Sequence, residues 1–167
     1  MNYKTLIRDV PDFPIKGVLF RDVSPLLQDP KAFSNVAHDF AKQIDLSKVD
    51  LFVGIESRGF IFAALLAAKF DKGFLPLRKA GKLPPPVLQQ SYDLEYGQAT
   101  LEIAPTSVAK KIVICDDVLA TGGTLRAAIS LCQKAGYEVE DVLVLIDLPF
   151  LNQMTFRNQK IKSLIQY

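Results

Sequence analysis

Lys111-Ile112-Val113-Ile114-Cys115-Asp116-Asp117-Val118-Leu119-Ala120-Thr121-Gly122-Gly123-Thr124 is the stretch on which the reading of this chain turns. Four apolar residues, mostly β-branched, follow two lysines and end on two adjacent carboxylates. Such a short greasy run with polar bounds predicts a buried parallel strand. After the acids comes a Thr-Gly-Gly-Thr turn. Beyond it, apolar positions 125, 128, 129, 132 and 135 recur at three- and four-residue spacing, which predicts an amphipathic helix that stops at Gly136. Strand, acidic pair, glycine turn and helix therefore follow one another without a break.

That order has a chemical meaning. A helix N-terminus carries unpaired amide groups and roughly half a positive charge. Gly122 and Gly123 let an anion approach the backbone with no Cβ in the way, and Thr121 and Thr124 add hydroxyl donors. Asp116 and Asp117 cannot bind a phosphate, but they can hold ribose hydroxyls, directly or through a divalent cation. Phosphate on one side and a diol on the other fits a phosphorylated ribose. The turn is not a P-loop, since no lysine follows the second glycine, and it lacks the G-x-G-x-x-G of a dinucleotide site. A strand-to-helix turn that uses Gly-Gly for geometry alone would leave the acidic pair without a purpose.

The segment resembles the ribose-phosphate signature of the type I phosphoribosyltransferases. In that family the paired acids contact the ribose hydroxyls and the T-G-G-T turn holds the 5′-phosphate.

The rest of the chain bounds this reading. Its 167 residues suit one domain, and 49% hydrophobic with 23% charged residues is the composition of an ordinary soluble globule. A net charge of +2, with lysine and arginine scattered, gives no reason to expect nucleic acid or an acidic membrane as partner. The longest apolar run, residues 60–68, stops at Lys69 and is too short to span a bilayer. No signal-peptide core is read at the start, so the cytosol is the expected compartment. Cys115 and Cys132 lack C-x-x-C spacing and read as reduced core residues.

Taken in order, residues 3–10 suggest a short amphipathic helix ending near Pro11. Residues 13–25 are rich in proline and turn formers yet carry large apolar side chains, the mark of an ordered loop that shapes a pocket. Asp29-Pro30 reads as the cap and first turn of a helix with its buried stripe at Phe33, Val36, Ala37, Phe40, Ala41 and Ile44. His38, the sole histidine, falls beside the stripe as a surface residue. A strand over 50–55, a Glu56-Ser57-Arg58-Gly59 turn, a helix over 60–70 and a strand over 73–77 repeat the β-α-β order of a parallel sheet. From Arg78 the chain turns basic and then proline-rich, which suggests a mobile arm with a stiff base. Residues 87–94 and 98–103 alternate as a hairpin around Glu95-Tyr96-Gly97. Asp141 to Asp147 is one more buried strand. The tail from Phe150 carries no legible motif.

A diphosphate site needs cations, and Arg58, Arg78, Lys79 and Lys82 sit on two loops that should reach the same crevice. Further stretches are similar to the adenine-using branch of the family, namely Ile7-Arg8-Asp9-Val10-Pro11-Asp12-Phe13-Pro14, Gly17-Val18-Leu19-Phe20-Arg21-Asp22-Val23-Ser24-Pro25, Glu56-Ser57-Arg58-Gly59-Phe60, Arg78-Lys79-Ala80-Gly81-Lys82-Leu83-Pro84 and Ser91-Tyr92-Asp93-Leu94-Glu95-Tyr96-Gly97.

The resemblance implies an α/β fold of the type I kind, with a mostly parallel central sheet flanked by helices. It implies one domain over 1–167, in which 1–28 forms a small base-recognising hood and 78–103 a flexible catalytic arm and hairpin. The implied reaction joins adenine to 5-phosphoribosyl 1-diphosphate, giving AMP and diphosphate with Mg2+, in a homodimer. Glu95 and Arg58 would be catalytic. Ser57, Arg58, Lys79 and Lys82 would take the diphosphate. Asp116, Asp117, Ala120, Thr121, Gly122, Gly123 and Thr124 would take the ribose and its phosphate. Adenine would meet Leu19, Phe20, Arg21 and Val118, and no protein metal site is implied, since substrate oxygens would hold the cation. The Glu56-Ser57-Arg58 turn would carry a non-proline cis peptide.

On the residues alone, Glu95 could equally be a solvated hairpin-tip carboxylate, and Phe20 plain core. Two departures stand out: Pro85 and Ala63 occupy positions where the family has glycine. Transfer to hypoxanthine or guanine, and a non-enzymatic sensor of the ribosyl diphosphate, remain open as competing readings.

Overall fold

In the computed structural model, residues 1–94 and 97–167 are described. The chain starts with a 3₁₀ turn at Tyr3–Leu6 and pairs β1 (Arg8–Pro11) with β2 (Leu19–Asp22) as an antiparallel ribbon. The helix expected over 3–10 is thus a single turn followed by a strand. Cross-strand charge explains the outcome, because Arg8 faces Asp22 and Asp9 faces Arg21, and both couples form ion pairs. A short helix α1 (Ser24–Gln28) leads to α2 (Pro30–Ala41), whose first turn is capped as expected: the Asp29 carboxylate accepts from the amides of Lys31 and Ala32 at 2.9 Å.

Next come β3 (Leu51–Ile55), α3 (Gly59–Lys69), β4 (Gly73–Lys79), β5 (Leu88–Leu94), β6 (Gly97–Ile103), β7 (Lys110–Leu119), α4 (Gly123–Lys134) and β8 (Tyr137–Asp147). A two-residue pair, β9 (Thr155–Phe156) with β10 (Gln159–Lys160), precedes β11 (Lys162–Gln166). The seven-stranded sheet has the order β11-β8-β7-β3-β4-β6-β5; its first four pairings are parallel and its last two antiparallel. Two features depart from the sequence reading. β4 runs on through Arg78 and Lys79 to pair with Glu102 and Leu101, so the hairpin extends the main sheet at its edge. The tail contributes an edge strand, β11, parallel to β8.

Alternation along β7 sets the layers. Ile112 and Ile114 pack with Leu125, Ala128, Leu131 and Cys132 of α4, whereas Val113 and Cys115 join Phe40 of α2 and Phe62 and Leu66 of α3. Each such aliphatic or aromatic side chain contributes roughly 1.5–3 kcal/mol on burial. Both cysteines are free and buried. Ala63 is fully buried in the same layer. At the start of α3, a Cβ on Gly59 would stand 2.5 Å from the Cys115 carbonyl oxygen and 3.1 Å from Asp116 Oδ1, so only glycine lets this helix end approach β7 so closely. Among the described residues no helix is long and apolar enough to cross a membrane.

Candidate active site

Parallel strands deliver their C-terminal ends to one edge, and here those ends surround a cleft of about 730 Å³. Ile55, Glu56, Ser57 and Arg58 come from the end of β3, Lys79 from β4, Asp116, Asp117, Val118, Ala120 and Thr124 from the end of β7 and start of α4. Leu19, Phe20 and Arg21 of β2 close it from above, together with Gly17 and Val18.

The acids sit against the start of α3. Asp116 Oδ1 accepts from the Asp117 amide at 2.9 Å and lies beside Gly59. Arg58, the residue that caps α3, brings Nε to 2.7 Å from Asp117 Oδ2. The two atoms are close enough for an ion pair but poorly aligned, and the buried Oδ2 accepts no hydrogen bond from the described residues. Burial pushes both carboxyls above their ordinary range. The charge on Asp117 adds to the rise at Asp116, while the Arg58 guanidinium draws Asp117 back down. The same guanidinium stands over the Phe20 ring, 4.8 Å from its centroid, so one side chain bridges the acids and the hood. Phe20 is in turn met edge-on by Phe13 at 5.1 Å. The Glu56-Ser57 peptide is cis, in agreement with the resemblance.

The glycine turn has the geometry its sequence requires. Gly122 has φ +85°, in the left-handed region, and caps α4. The Arg126 amide donates to the Gly122 carbonyl at 3.0 Å, which leaves the amides of Gly123, Thr124 and Leu125 ahead of the helical ladder. Arg126 Nη2 also donates to the Thr121 carbonyl at 2.7 Å and braces the turn. The hairpin reaches the same place, since a Cβ on Gly123 would meet the Asp93 carbonyl oxygen at 3.3 Å.

The basic loop is held by two carboxylates. Glu56 accepts from Arg78 Nε at 3.2 Å and from the Lys79 amide at 3.0 Å. Buried Glu102 accepts from the amides of Gly81, Lys82 and Leu83 at 3.0, 2.6 and 2.6 Å, and from Gln89 Nε2 at 3.1 Å. Those donors, the Gly81 amide foremost, hold the Glu102 carboxyl down at about 2. Arg78, one of the cations read from the sequence, is therefore tied to Glu56, while Lys79 lines the cleft.

Similarity to known proteins bears directly on this arrangement. The sequence pattern of the phosphoribosyl transferase domain matches residues 22–150. An adenine phosphoribosyltransferase from Bdellovibrio bacteriovorus is 61% identical over 167 residues and covers 100% of both chains.

The chain belongs to the adenine phosphoribosyltransferase family.

Its fold agrees with that of the crystal structure of adenine phosphoribosyltransferase from Thermoanaerobacter pseudethanolicus, with a TM-score of 0.91, 42% identity and coverage of 99% of this chain and 98% of that one. The Saccharomyces cerevisiae adenine phosphoribosyltransferase, in complex with adenine and an imino-altritol bisphosphate, matches with a TM-score of 0.84 and 34% identity over 89% of this chain and 88% of that one. The type I fold and the pentosyl-transfer activity on adenine expected from the resemblance both hold, which decides between the readings the sequence left open.

Of the site residues expected for an adenine phosphoribosyltransferase, the cleft brings together Leu19, Phe20, Arg21, Ser57, Arg58, Lys79, Asp116, Asp117, Val118, Ala120 and Thr124. Thr121, Gly122 and Gly123 form the turn beside it, and Lys82 is exposed on the loop that Glu102 holds. Glu95 lies outside the described residues. The Arg21 side chain points away, toward Asp9 and Tyr167, so only its backbone can face a base. Sequence reasoning passed over Tyr92, Leu148, Phe150 and Leu151, which also line the cleft. The signal for the last three was available, because they follow directly on the C-terminal end of a parallel strand.

Proposed function

We propose that this cleft carries out the transfer in one enclosed chamber, with the roles divided by charge. Adenine would lie between Phe20 and Val118, its edge read by the backbone of residues 19–21, since β2 has a strand partner on one side only. The ribose hydroxyls would take Asp116 and Asp117, and the 5′-phosphate the turn at 120–124. The diphosphate would meet Ser57, Arg58, Lys79 and Lys82.

Breaking the bond from C1′ to the diphosphate oxygen leaves a cationic sugar and a departing polyanion. The acidic pair offsets the first charge and the basic side chains the second. Adenine attacks the opposite face of the ribose carbon through N9, and as the C1′–N9 bond replaces the C1′–O bond the imidazole proton would leave through the hydrogen bond to Glu95. Glu95 would hydrogen-bond the purine imidazole ring as it gains positive charge. Residues 78–103, as an arm and hairpin within a single 1–167 domain, would exclude water during the transfer.

The acids also fit a cation. Among the described residues no cluster of three His, Cys, Asp or Glu side chains is placed to hold a metal, whereas the unsatisfied Asp117 Oδ2 can accept from a ribose hydroxyl or from water on a substrate-bound ion. Mg2+ carried on the diphosphate would supply countercharge to the leaving group. A homodimer is supported by the exposed apolar side chains of Phe13, Ile15 and Leu19 on the 13–25 loop, and the cytosol by the composition.

The observation that carries the site assignment is the buried, unsatisfied Asp117 Oδ2 opposite Arg58 at the mouth of the glycine turn. Steady-state diphosphate release with 5-phosphoribosyl 1-diphosphate and Mg2+, run in parallel on adenine, hypoxanthine and guanine, tests the reading. Adenine alone should support turnover, and equal rates on the three bases would overturn it.

A further inference from the structure

The ribbon of β1 and β2 shares no hydrogen-bonded ladder with the seven-stranded sheet, yet residues 19–21 must keep a fixed distance from the floor of the cleft. Tyr3, Val23 and Leu26 are buried in the same apolar core as Leu145 and Ile165, which holds this region down. Apolar burial is non-directional and does not set the lateral position of a strand. A directional contact does exist. Successive side chains on β2 point to opposite sides, so Phe20 faces Arg58 while Arg21 turns the other way. There the Arg21 guanidinium lies 3.6 Å from the centroid of the Tyr167 ring and pairs with Asp9, leaving its side chain only 11% exposed. Lys4 Nζ sits 4.9 Å from the same ring. Tyr167 itself follows β11 and is tied to the main sheet, its amide donating to the Asp147 carbonyl at 3.3 Å. One aromatic ring thus joins the sheet edge to the back of the ribbon.

We propose that Tyr167 is a positioning residue for the purine base: by stacking on Arg21 it fixes the strand whose opposite side meets adenine. This rests on the reading that β2 recognises adenine. Tyr167 is not among the described residues that line the cleft. Its effect should therefore fall chiefly on base binding, because Asp116 to Leu119 belong to β7, Gly123 and Thr124 to α4, and residues 120–122 join those two elements rather than the ribbon.

The test is steady-state kinetics of the full chain with adenine and 5-phosphoribosyl 1-diphosphate titrated separately. Tyr167→Ala should raise the KM for adenine about tenfold, while kcat and the KM for the diphosphate substrate stay within about twofold. Tyr167→Phe keeps the ring face and should restore the adenine KM to within about twofold of wild type. Tyr167→Leu keeps apolar bulk without the π-face and should behave like Tyr167→Ala, so it decides the matter if the alanine variant fails to fold. A wild-type adenine KM in the leucine and alanine variants overturns the inference. So does a parallel rise in both KM values, or a Tyr167→Phe enzyme as impaired as Tyr167→Ala. If the wild type shows no adenine-dependent turnover, the reading of the cleft fails and the inference falls with it; if it does and the variants match it, only the inference fails.

Discussion

Arg58 Nε stands 2.7 Å from Asp117 Oδ2, and that buried oxygen accepts no hydrogen bond from the described residues. The contact couples the cation proposed for the leaving group to an acid proposed for the ribose across the start of α3. Arg58→Ala should lower kcat/KM for 5-phosphoribosyl 1-diphosphate by about 10²- to 10³-fold. It should also destabilise the fold by about 1 kcal/mol, since Asp117 loses the guanidinium beside it while staying buried. Unchanged kinetics would remove Arg58 from the site.

Asp116 should show the opposite balance of activity and stability. Burial, and then the charge on Asp117, push its carboxyl up, so the folded state holds a proton more tightly than the unfolded one. Stability from that proton is present at low pH and is lost as pH rises through the raised value. Asp116→Asn keeps the Oδ1 acceptor for the Asp117 amide but cannot ionise. Its Tm should exceed that of wild type by about 2–4 °C at pH 8, with the gain shrinking toward pH 4, while turnover collapses. A Tm gain that grows on acidification would refute the sign.

Glu102 works the other way. Its carboxyl is held at about 2 against an ordinary 4.5, first by the Gly81 amide. The stability it gives is present above 4.5 and is lost as pH falls toward 2. Glu102→Gln should therefore lower Tm at neutral pH, with the difference from wild type vanishing as both are acidified toward 2. It should also raise the KM for the diphosphate substrate, because the loop that carries Lys82 loses its anchor.

Gly59 tests the close approach of α3 to β7. A Cβ there would meet the Cys115 carbonyl oxygen at 2.5 Å, so Gly59→Ala must push the helix end away from the acids. A loss of about 1–3 kcal/mol in stability is expected from chemical denaturation, with a larger proportional loss of turnover. Wild-type stability would mean that the two elements can separate at no cost.

Glu95 is expected to act on the ring of the attacking base. Glu95→Ala should reduce kcat by about 10²- to 10⁴-fold and leave Tm within the error of the measurement. An unchanged kcat would return this residue to the status of a solvated turn carboxylate.

Read along the chain, residues 111–124 specified most of their own structure: the β-branched run forms a buried strand, which continues past the acids to Leu119, and Gly122 supplies the positive φ of the α4 cap. The Asp29-Pro30 cap was legible for the same reason, since its partners lie two and three residues away. The tail and the hood were not. β11 exists because β8 offers it an edge, and residues 3–10 became a turn and a strand because Asp22 and Arg21 stand opposite Arg8 and Asp9. Nor could sequence say that Arg78 would be tied to Glu56, that Arg21 would turn its side chain to Tyr167, or that Tyr92 of the hairpin would line the cleft. Local periodicity and turn chemistry depend on neighbours a few residues apart, and the sequence by itself determined those. Which carboxylate meets which cation across the hood, the basic loop and the acidic pair depends on partners from 12 residues away (Asp9 with Arg21) to 59 (Arg58 with Asp117), and such pairings exist only once the chain has folded.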